Sequence, residues 1–425
     1  MLIDITPLKI SRDYRLLFFG QLISFFGSMM SFVVVPVQMY QLTKSSLAVG
    51  LLGVAEFLPM LVLAFVGGAL ADAVDRRKML RLTEIAQTIV TTILLINSLL
   101  PNPQIWVLYV AVGLHAGLVS LQRPSFEALI PRILPPEQMP AVSALNSIRY
   151  NIGLIAAPAI AGLIVARLGA QVAYSIDLFT FIASLLAVFL ISAVPPALEA
   201  VRPSWQSIKQ GLKYALSRKE LLGTYLIDIN AMFFGMPMAL FPALAASYGG
   251  ASVGLFYSAP AVGSLFATLT SGWTKRINRH GLAIAVAAGL WGVSIIIFGL
   301  MNNLWLALFF LSLAGAFDMI SGIFRSTVWN QTIPNHLRGR LAGIEMVSYL
   351  TGPMLGNAEA GVVASLYGLR TSVVSGGIFT VAGTLALAFL LPQFIKYDGR
   401  EGIRQKLREE KERDERITIQ NTAKT

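Results

Sequence analysis

The sequence has no cysteine and only three histidines in 425 residues. Without a thiol there is no disulfide, thiolate zinc site, iron–sulfur cluster or cysteine nucleophile. His115, His280 and His336 stand far apart, so no pair has the short spacing of a histidine metal site. A Gly-x4-Gly-Lys-Ser/Thr phosphate loop is missing too, which excludes ATP hydrolysis by that route. No metal, no cofactor and no catalytic residue is therefore expected, and the chain does not read as an enzyme. Charge is scarce as well: Asp, Glu, Lys and Arg make up 13% of the chain, about half the share in an average soluble domain.

Apolar residues are abundant, at 55%. At roughly 20 residues per membrane span, that is enough for about twelve spans, and far too much for one or two soluble cores to cover. Apolar runs lie at 16–40, 47–71, 82–100, 105–122, 141–166 and 170–193. Six more follow at 221–246, 252–273, 282–301, 303–324, 341–366 and 371–393. The first follows a polar start with no small-residue cleavage pattern, so it reads as a membrane helix and not as a removable signal. Between runs six and seven, Trp205, Ile208, Leu212 and Ala215 recur at helical spacing beside Lys209 and Lys213. This suits either a helix lying on the membrane surface or a solvated linker.

The net charge of +11 first suggests a nucleic-acid partner, but the placement of the charges gives another reason. Of the 33 Lys and Arg residues, all except Lys44, Arg149, Arg167 and Arg370 fall on one side of the alternating spans. Positive charge is retained in the cytoplasm, so both termini are expected there, in a cytoplasmic membrane, with no nucleic acid involved. The two halves also repeat. Val49-Gly50-Leu51 recurs as Val253-Gly254-Leu255, and Gly162 and Gly169 recur as Gly361 and Gly368. The expected fold is all-α, with twelve transmembrane helices in two six-helix bundles related by pseudo-twofold symmetry. The bundles are 1–193 and 220–395, joined by a cytoplasmic linker at 194–219 and followed by a charged tail at 396–425. The tail alternates Lys/Arg with Glu and reads as a solvated extension or a docking segment.

The most specific motif follows the second span: Gly68-Ala-Leu-Ala-Asp72-Ala-Val-Asp75-Arg76-Arg77-Lys78. With twelve spans, two similar halves and a basic link, the chain resembles the major facilitator superfamily, whose loop signature combines Gly, Asp and a basic cluster. The resemblance implies that Gly68, Asp72, Arg76, Arg77 and Lys78 form a gating element that latches one access state. Ala73 and Asp75 depart from the signature, and the second copy, Gly272 to His280, lacks the acid. Gly153, Ala157-Pro158 and Gly162 in span five, with Gly352-Pro353 in span eleven, look like the Gly-Pro hinges of the family's exporters. Val35-Pro36-Val37-Gln38, Val49-Gly50-Leu51 and Arg149 are similar to the enterobactin-exporter group, whose broader relatives include macrolide efflux proteins. The likeness implies proton-driven export of a small molecule by a monomer in the lipid bilayer, with siderophores the leading substrate class. Efflux of macrolide-like or other amphipathic drugs is the alternative transport reading. A non-transporting membrane receptor or lipid-handling scaffold is the alternative of another class.

An ionised residue within the bilayer asks for a partner, a wet cavity or a function. Asp228, Asp318, Glu56 and Glu359 are the candidate proton-coupling acids; Glu84 and Glu345 lie toward helix ends and read as interfacial. Asp177 reads as a helix-packing hydrogen-bond group. By resemblance, spans one, four, seven and ten line the cavity, which ranks Asp228, Asp318, Asn230 and His115 first. Arg149, Tyr150, Phe233 and Phe234 complete the candidate substrate residues. For Arg149 two readings stand side by side, attraction of an anionic substrate or a clamp between helices, with an acid as its expected partner.

Overall fold

The computed structural model describes residues 4–73, 75–192, 205–250, 252–334 and 337–422. Within these ranges the side chains of 64–73, 124, 128, 205–208, 210, 211, 339, 340, 342–350, 414 and 416–422 lie outside the description. The described chain is nearly all helix, and its one β feature is an isolated bridge between Arg279 and Asp398. A short α1 (Thr6–Ile10) leads into α2 (Arg12–Thr43), α3 (Ser46–Ala73), α4 (Arg76–Leu99) and α5 (Ile105–Ile133). Then follow α6 (Met139–Leu168), α7 (Ala170–Leu190), the linker helix α8 (Trp205–Ser217), α9 (Lys219–Phe234) and α10 (Phe241–Ser247). The remainder is α11 (Val253–Leu269), α12 (His280–Leu300), α13 (Leu304–Thr332), α14 (Arg338–Tyr367), α15 (Leu369–Leu390), α16 (Pro392–Ile395) and α17 (Gly399–Thr422). Among the described residues, ten helical segments are long and apolar enough to cross a membrane, with the shorter apolar α11 in addition.

Local chemistry sets the ends of these helices. Ser11 caps α2 by accepting from the Tyr14 amide, and Asn303 caps α13 by accepting from Trp305 and Leu306. Asp75 caps α4 by accepting from the amides of Arg77 and Lys78. The one-residue joints α6–α7 and α14–α15 are made by Gly169 (φ 83°) and Gly368 (φ 93°). A side chain would be strained in that left-handed region, which is why glycine recurs at these two equivalent places.

Contacts divide the chain into two compact units. Unit 1 comprises Met1–Pro203, Pro237–Ala261 and Met354–Ser372; unit 2 comprises Ser204–Met236, Val262–Pro353 and Val373–Thr425. In unit 1, Tyr14, Leu17, Leu80, Leu129, Leu145 and Val188 form one buried cluster. In unit 2, Leu221, Ile227, Ile284, Phe324, Val328 and Phe394 form another. Three of the crossings between units fall within a residue or so of Pro237, Pro260 and Pro353. Pro237 lies in the break between α9 and α10, while Pro260 and Pro353 are inside α11 and α14.

The linker contains a helix, α8, and the tail is not simply solvated. Glu409 of α17 pairs with Arg218, which also holds Glu220 at 2.7 Å, and accepts from the Tyr214 hydroxyl at 3.0 Å. Lys406 donates to the carbonyl of Asn330 at 3.1 Å. The inner face of α17 is thus fixed to unit 2, while Arg400, Arg404 and Arg408 remain exposed.

Candidate functional site

Unit 1 encloses a cavity of about 290 Å³. Its walls follow helical periodicity: Ser28, Ser31, Phe32 and Val35 come from one face of α2, and Gly53, Glu56 and Met60 from one face of α3. His115 of α5, Thr91 of α4 and Asp177 of α7 complete the polar lining, and Tyr257 and Asn357 close it from α11 and α14. Asp177 is 1% exposed and accepts hydrogen bonds from Ser31 and Thr180. The His115 ring meets Phe181 edge to face, with centroids 6.2 Å apart. Glu56 makes no hydrogen bond among the described residues, and among them no Lys or Arg lines the cavity. Two carboxyls and an imidazole, beside the hydroxyls of Ser28, Ser31 and Thr91 and the amide of Asn357, can exchange protons or hydrogen bonds, but among the described lining residues no Lys or Arg offers a countercharge to an anion.

Beside this chamber, which shares Gly53, Met354 and Asn357 with them, the helices approach backbone to backbone. A Cβ on Gly162 of α6 would overlap the backbone of Gly254 on α11, and one on Gly361 of α14 would meet the Ser46 carbonyl at 2.8 Å and Gly50 at 3.3 Å on α3. Gly50 and Gly53 in turn leave room for the carbonyls of Asn357 and Met354. Small residues permit such contact where larger ones would hold helices apart. Polar bonds secure the seam: Ser258 donates to the Ile155 carbonyl at 2.7 Å, and the Ala239 amide donates to Asn357 at 3.0 Å.

Asp228 and Asp318 do not line this cavity; they meet in unit 2. Arg325 of α13 forms an ion pair with Asp228 of α9 and lies 3.5 Å from Asp318, one α-helical heptad before it. The side chain of Asp228 is 1% exposed and that of Asp318 33%. One turn along, Trp329 donates to Thr224 at 2.9 Å and stacks on Tyr225. Asn230 donates to the Thr380 carbonyl at 3.0 Å, Phe233 and Phe234 pack edge to face, and Phe234 also touches Phe379. Gly352 abuts Met232, so the Gly352-Pro353 element lies against α9.

The remaining candidates are dispersed. Glu359 is half-buried on α14 and does not line the cavity. The expected acid partner of Arg149 is absent among the described residues; its guanidinium lies over the rings of Phe126 (5.2 Å) and Phe25 (5.8 Å), and Tyr150 stacks on Phe25. Gly153 makes this possible, because a Cβ there would overlap the Phe25 ring. In the gating motif, the side chains of Gly68 and Asp72 lie outside the described residues. Arg76 is buried, Lys78 exposed, and Arg77 donates to the Phe189 carbonyl at 2.9 Å, as Arg81 does at 2.8 Å.

Two features escaped sequence reasoning. Glu84, expected at an interface, is fully buried, and one carboxylate oxygen accepts from Gln21, Gln122 and Ser184 at 2.8, 2.9 and 3.1 Å. The amide and hydroxyl side chains on three neighbouring spans were the available signal. The partnership of Arg325 is the other: the Asp228–Arg325 pairing joins positions 97 residues apart, beyond any local pattern.

Comparison with known proteins now bears on the identity. The pattern of the transmembrane secretion effector family, a branch of the major facilitator superfamily, matches residues 4–413. The chain belongs to this family. Among curated relatives, the enterobactin exporter EntS of Citrobacter koseri is 28% identical over 92% of this chain and 94% of its own length. The proteins of the same name from Shigella boydii and Escherichia coli are 27% identical over the same shares. Among solved structures, a point mutant of the nucleoside transporter NupG overlays 89% of this chain and all of its own, with a TM-score of 0.73 at 12% identity. A bacterial homolog of the human lysosomal transporter Spinster, in an inward-facing and unoccupied conformation, covers 93% of this chain and 97% of its own, with a TM-score of 0.69 at 15% identity. This secretion effector is therefore a multi-pass inner-membrane exporter of the major facilitator type that handles a small molecule, and not an enzyme.

Proposed function

We propose that the chain is a secondary active exporter that moves a siderophore-class small molecule out of the cytoplasm in exchange for protons. The observation that carries this reading is the glycine seam. Its two contacts, Gly162 against Gly254 and Gly361 against Gly50, involve the same repeat positions with roles exchanged. A pseudo-twofold axis relating two six-helix bundles, 1–193 and 220–395, produces such a pair, and alternating access breaks and remakes such a contact. The distribution of positive charge supports cytoplasmic termini, and with that orientation the seam is read as the outer gate. The motif from Gly68 through Asp72 to Arg76, Arg77 and Lys78 is the cytoplasmic latch of the opposite state. Protons couple at Asp228 and Asp318, where one guanidinium serves two carboxylates and protonation of either releases it to the other. The siderophore reading is supported by the likeness to the enterobactin exporters. Efflux of amphipathic drugs is favoured by one observation, the largely apolar cavity with no Lys or Arg among its described lining residues. The protein acts as a monomer.

The cysteine-free sequence makes the test direct. The pair Ile155→Cys and Ser258→Cys, placed across the seam, is reconstituted into proteoliposomes with an imposed pH gradient. Oxidative cross-linking is expected to stop siderophore flux and reduction to restore it. Undiminished flux after complete cross-linking overturns alternating access at this seam, and flux indifferent to the pH gradient overturns proton exchange.

A further inference from the structure

We propose that the cavity of unit 1 holds a protonated amine, the ammonium end of a molecule whose remaining body is apolar or aromatic, with Glu56 as its counterion. The inference rests on the exporter reading and names the charge of the part of the substrate that this chamber takes. The wall treats its two carboxyls differently. Asp177 is 1% exposed, and its oxygens already accept from Ser31 and Thr180. Gly27 leaves room for this arrangement, because a Cβ there would overlap both Thr180 and Asp177. Glu56, by contrast, lines the chamber from α3 with no hydrogen bond among the described residues. An acid within a membrane segment ordinarily has a partner, and among the described lining residues no Lys or Arg supplies one.

The rest of the wall says what kind of cation fits. Met29, Met60, Met238 and Met354 line the chamber, and their flexible thioether chains adapt to apolar bodies of varied shape. Phe32 is 40% exposed and meets the Tyr257 ring edge to face at 5.7 Å, and Tyr257 lies within electrostatic reach of Glu56. Rings beside a carboxylate favour a cation a second time, because the face of a ring carries the negative part of its quadrupole. Ser28 and Asn357 add oxygen acceptors for the remaining N–H groups of an ammonium. A bare metal ion fits poorly: among the described residues no group of three His, Asp or Glu side chains is placed to hold one, and the apolar wall would go unused. A carboxylate or phenolate would meet Glu56 as a like charge. An alkylammonium or arylalkylammonium uses both the acid and the apolar wall.

The test is equilibrium binding to the full chain purified in detergent, with probes that share one phenylethyl body: phenethylamine, its neutral N-acetyl derivative and the anion hydrocinnamate. Phenethylamine is expected to bind saturably and roughly tenfold more tightly than either analogue. Glu56→Gln should remove that preference, bringing phenethylamine down to the level of the amide while the amide itself moves by less than about twofold. Glu56→Asp, which draws the carboxylate back by one methylene, should weaken phenethylamine about threefold. Thermal unfolding of each variant reports folding, and Glu56→Asp alone decides if Glu56→Gln does not fold. Absence of saturable phenethylamine binding, equal affinity for either analogue, or unchanged phenethylamine affinity in the Glu56 variants that fold overturns the proposal. Proteoliposome flux answers the separate question. Glu56-dependent binding without flux of phenethylamine or of a siderophore upholds the site and defeats the exporter reading. Phenethylamine flux that both Glu56 variants leave unchanged defeats the site and leaves the exporter reading standing.

Discussion

The two units bury acids in opposite ways. In unit 1, Asp177 and Glu84 are held by hydroxyls and amides: Ser31 and Thr180 around the first, Gln21, Gln122 and Ser184 around the second. In unit 2, Asp228 and Asp318 share the guanidinium of Arg325. Neutral donors hold a carboxyl whether or not it carries a proton, so such sites tolerate a change of protonation with little rearrangement. An ion pair is less forgiving, because removing one partner leaves an uncompensated charge in a poorly solvated place. Asp177 and Glu84 are therefore suited to holding helices together, whereas Asp228 and Asp318 depend on a single shared cation.

The largest effect that would sharpen this comparison is expected from Arg325→Met. It leaves Asp228 and Asp318 without their cation and should cost about 3–5 kcal/mol, read as denaturant or thermal unfolding in detergent. Adding Asp228→Leu should recover part of the loss, because the stranded charge is then gone. Next comes Glu84→Ala, which takes the shared acceptor from Gln21, Gln122 and Ser184 and should cost about 1–3 kcal/mol in the same assay. Glu84→Gln keeps an acceptor oxygen and should stay within about 1 kcal/mol of the parent. If Glu84→Gln proved as damaging as Arg325→Met, the contrast between the units would collapse. The smallest effect is outside the membrane. Asp398 accepts from the Arg400 side chain and amide at the start of α17, which lowers its carboxyl to about 2 from the usual 3.8. A depressed value means that the contact contributes fully above pH 3.8 and is lost as pH falls through about 2. Asp398→Asn should therefore loosen α17 at neutral pH, and limited proteolysis of the tail should show it, with the difference from the parent vanishing in strong acid.

Much of the fold was legible because the bilayer imposes long apolar runs and a one-sided distribution of Lys and Arg. The equivalence of Gly169 and Gly368 was equally visible, since the left-handed joint they make leaves little choice of residue. Span seven shows the limit: its continuous apolar run hides the break after Phe234, where Gly235 and Pro237 separate α9 from α10. The site was legible as a set of residues but not as a set of partners. Glu56, His115, Asp228, Asp318 and Arg149 were singled out by charge or chemistry inside apolar helices. Which of them meet depends on helix rotation and packing, and these leave no local signature. Glu84 was misplaced for a similar reason: its position toward a helix end suggested the interface, whereas the inner face of α4 takes it into the packed interior. The seat of the tail was not legible because Glu409 looks like any other charge in an alternating run until Arg218 and Tyr214 are seen opposite.

Prolines near three of the crossings give the molecule an uneven stiffness. A helix resists bending through its ladder of backbone bonds, and each internal proline removes one rung and crowds the carbonyl of the turn before it. In α11 and α14 the missing rung is within a residue or so of the point where the helix leaves one compact unit for the other. The α9–α10 segment interrupts its ladder at the corresponding place. These three segments behave as beams thinned at the boundary, so load applied at either end is absorbed at a known joint, and the packed stretches on both sides keep their shape.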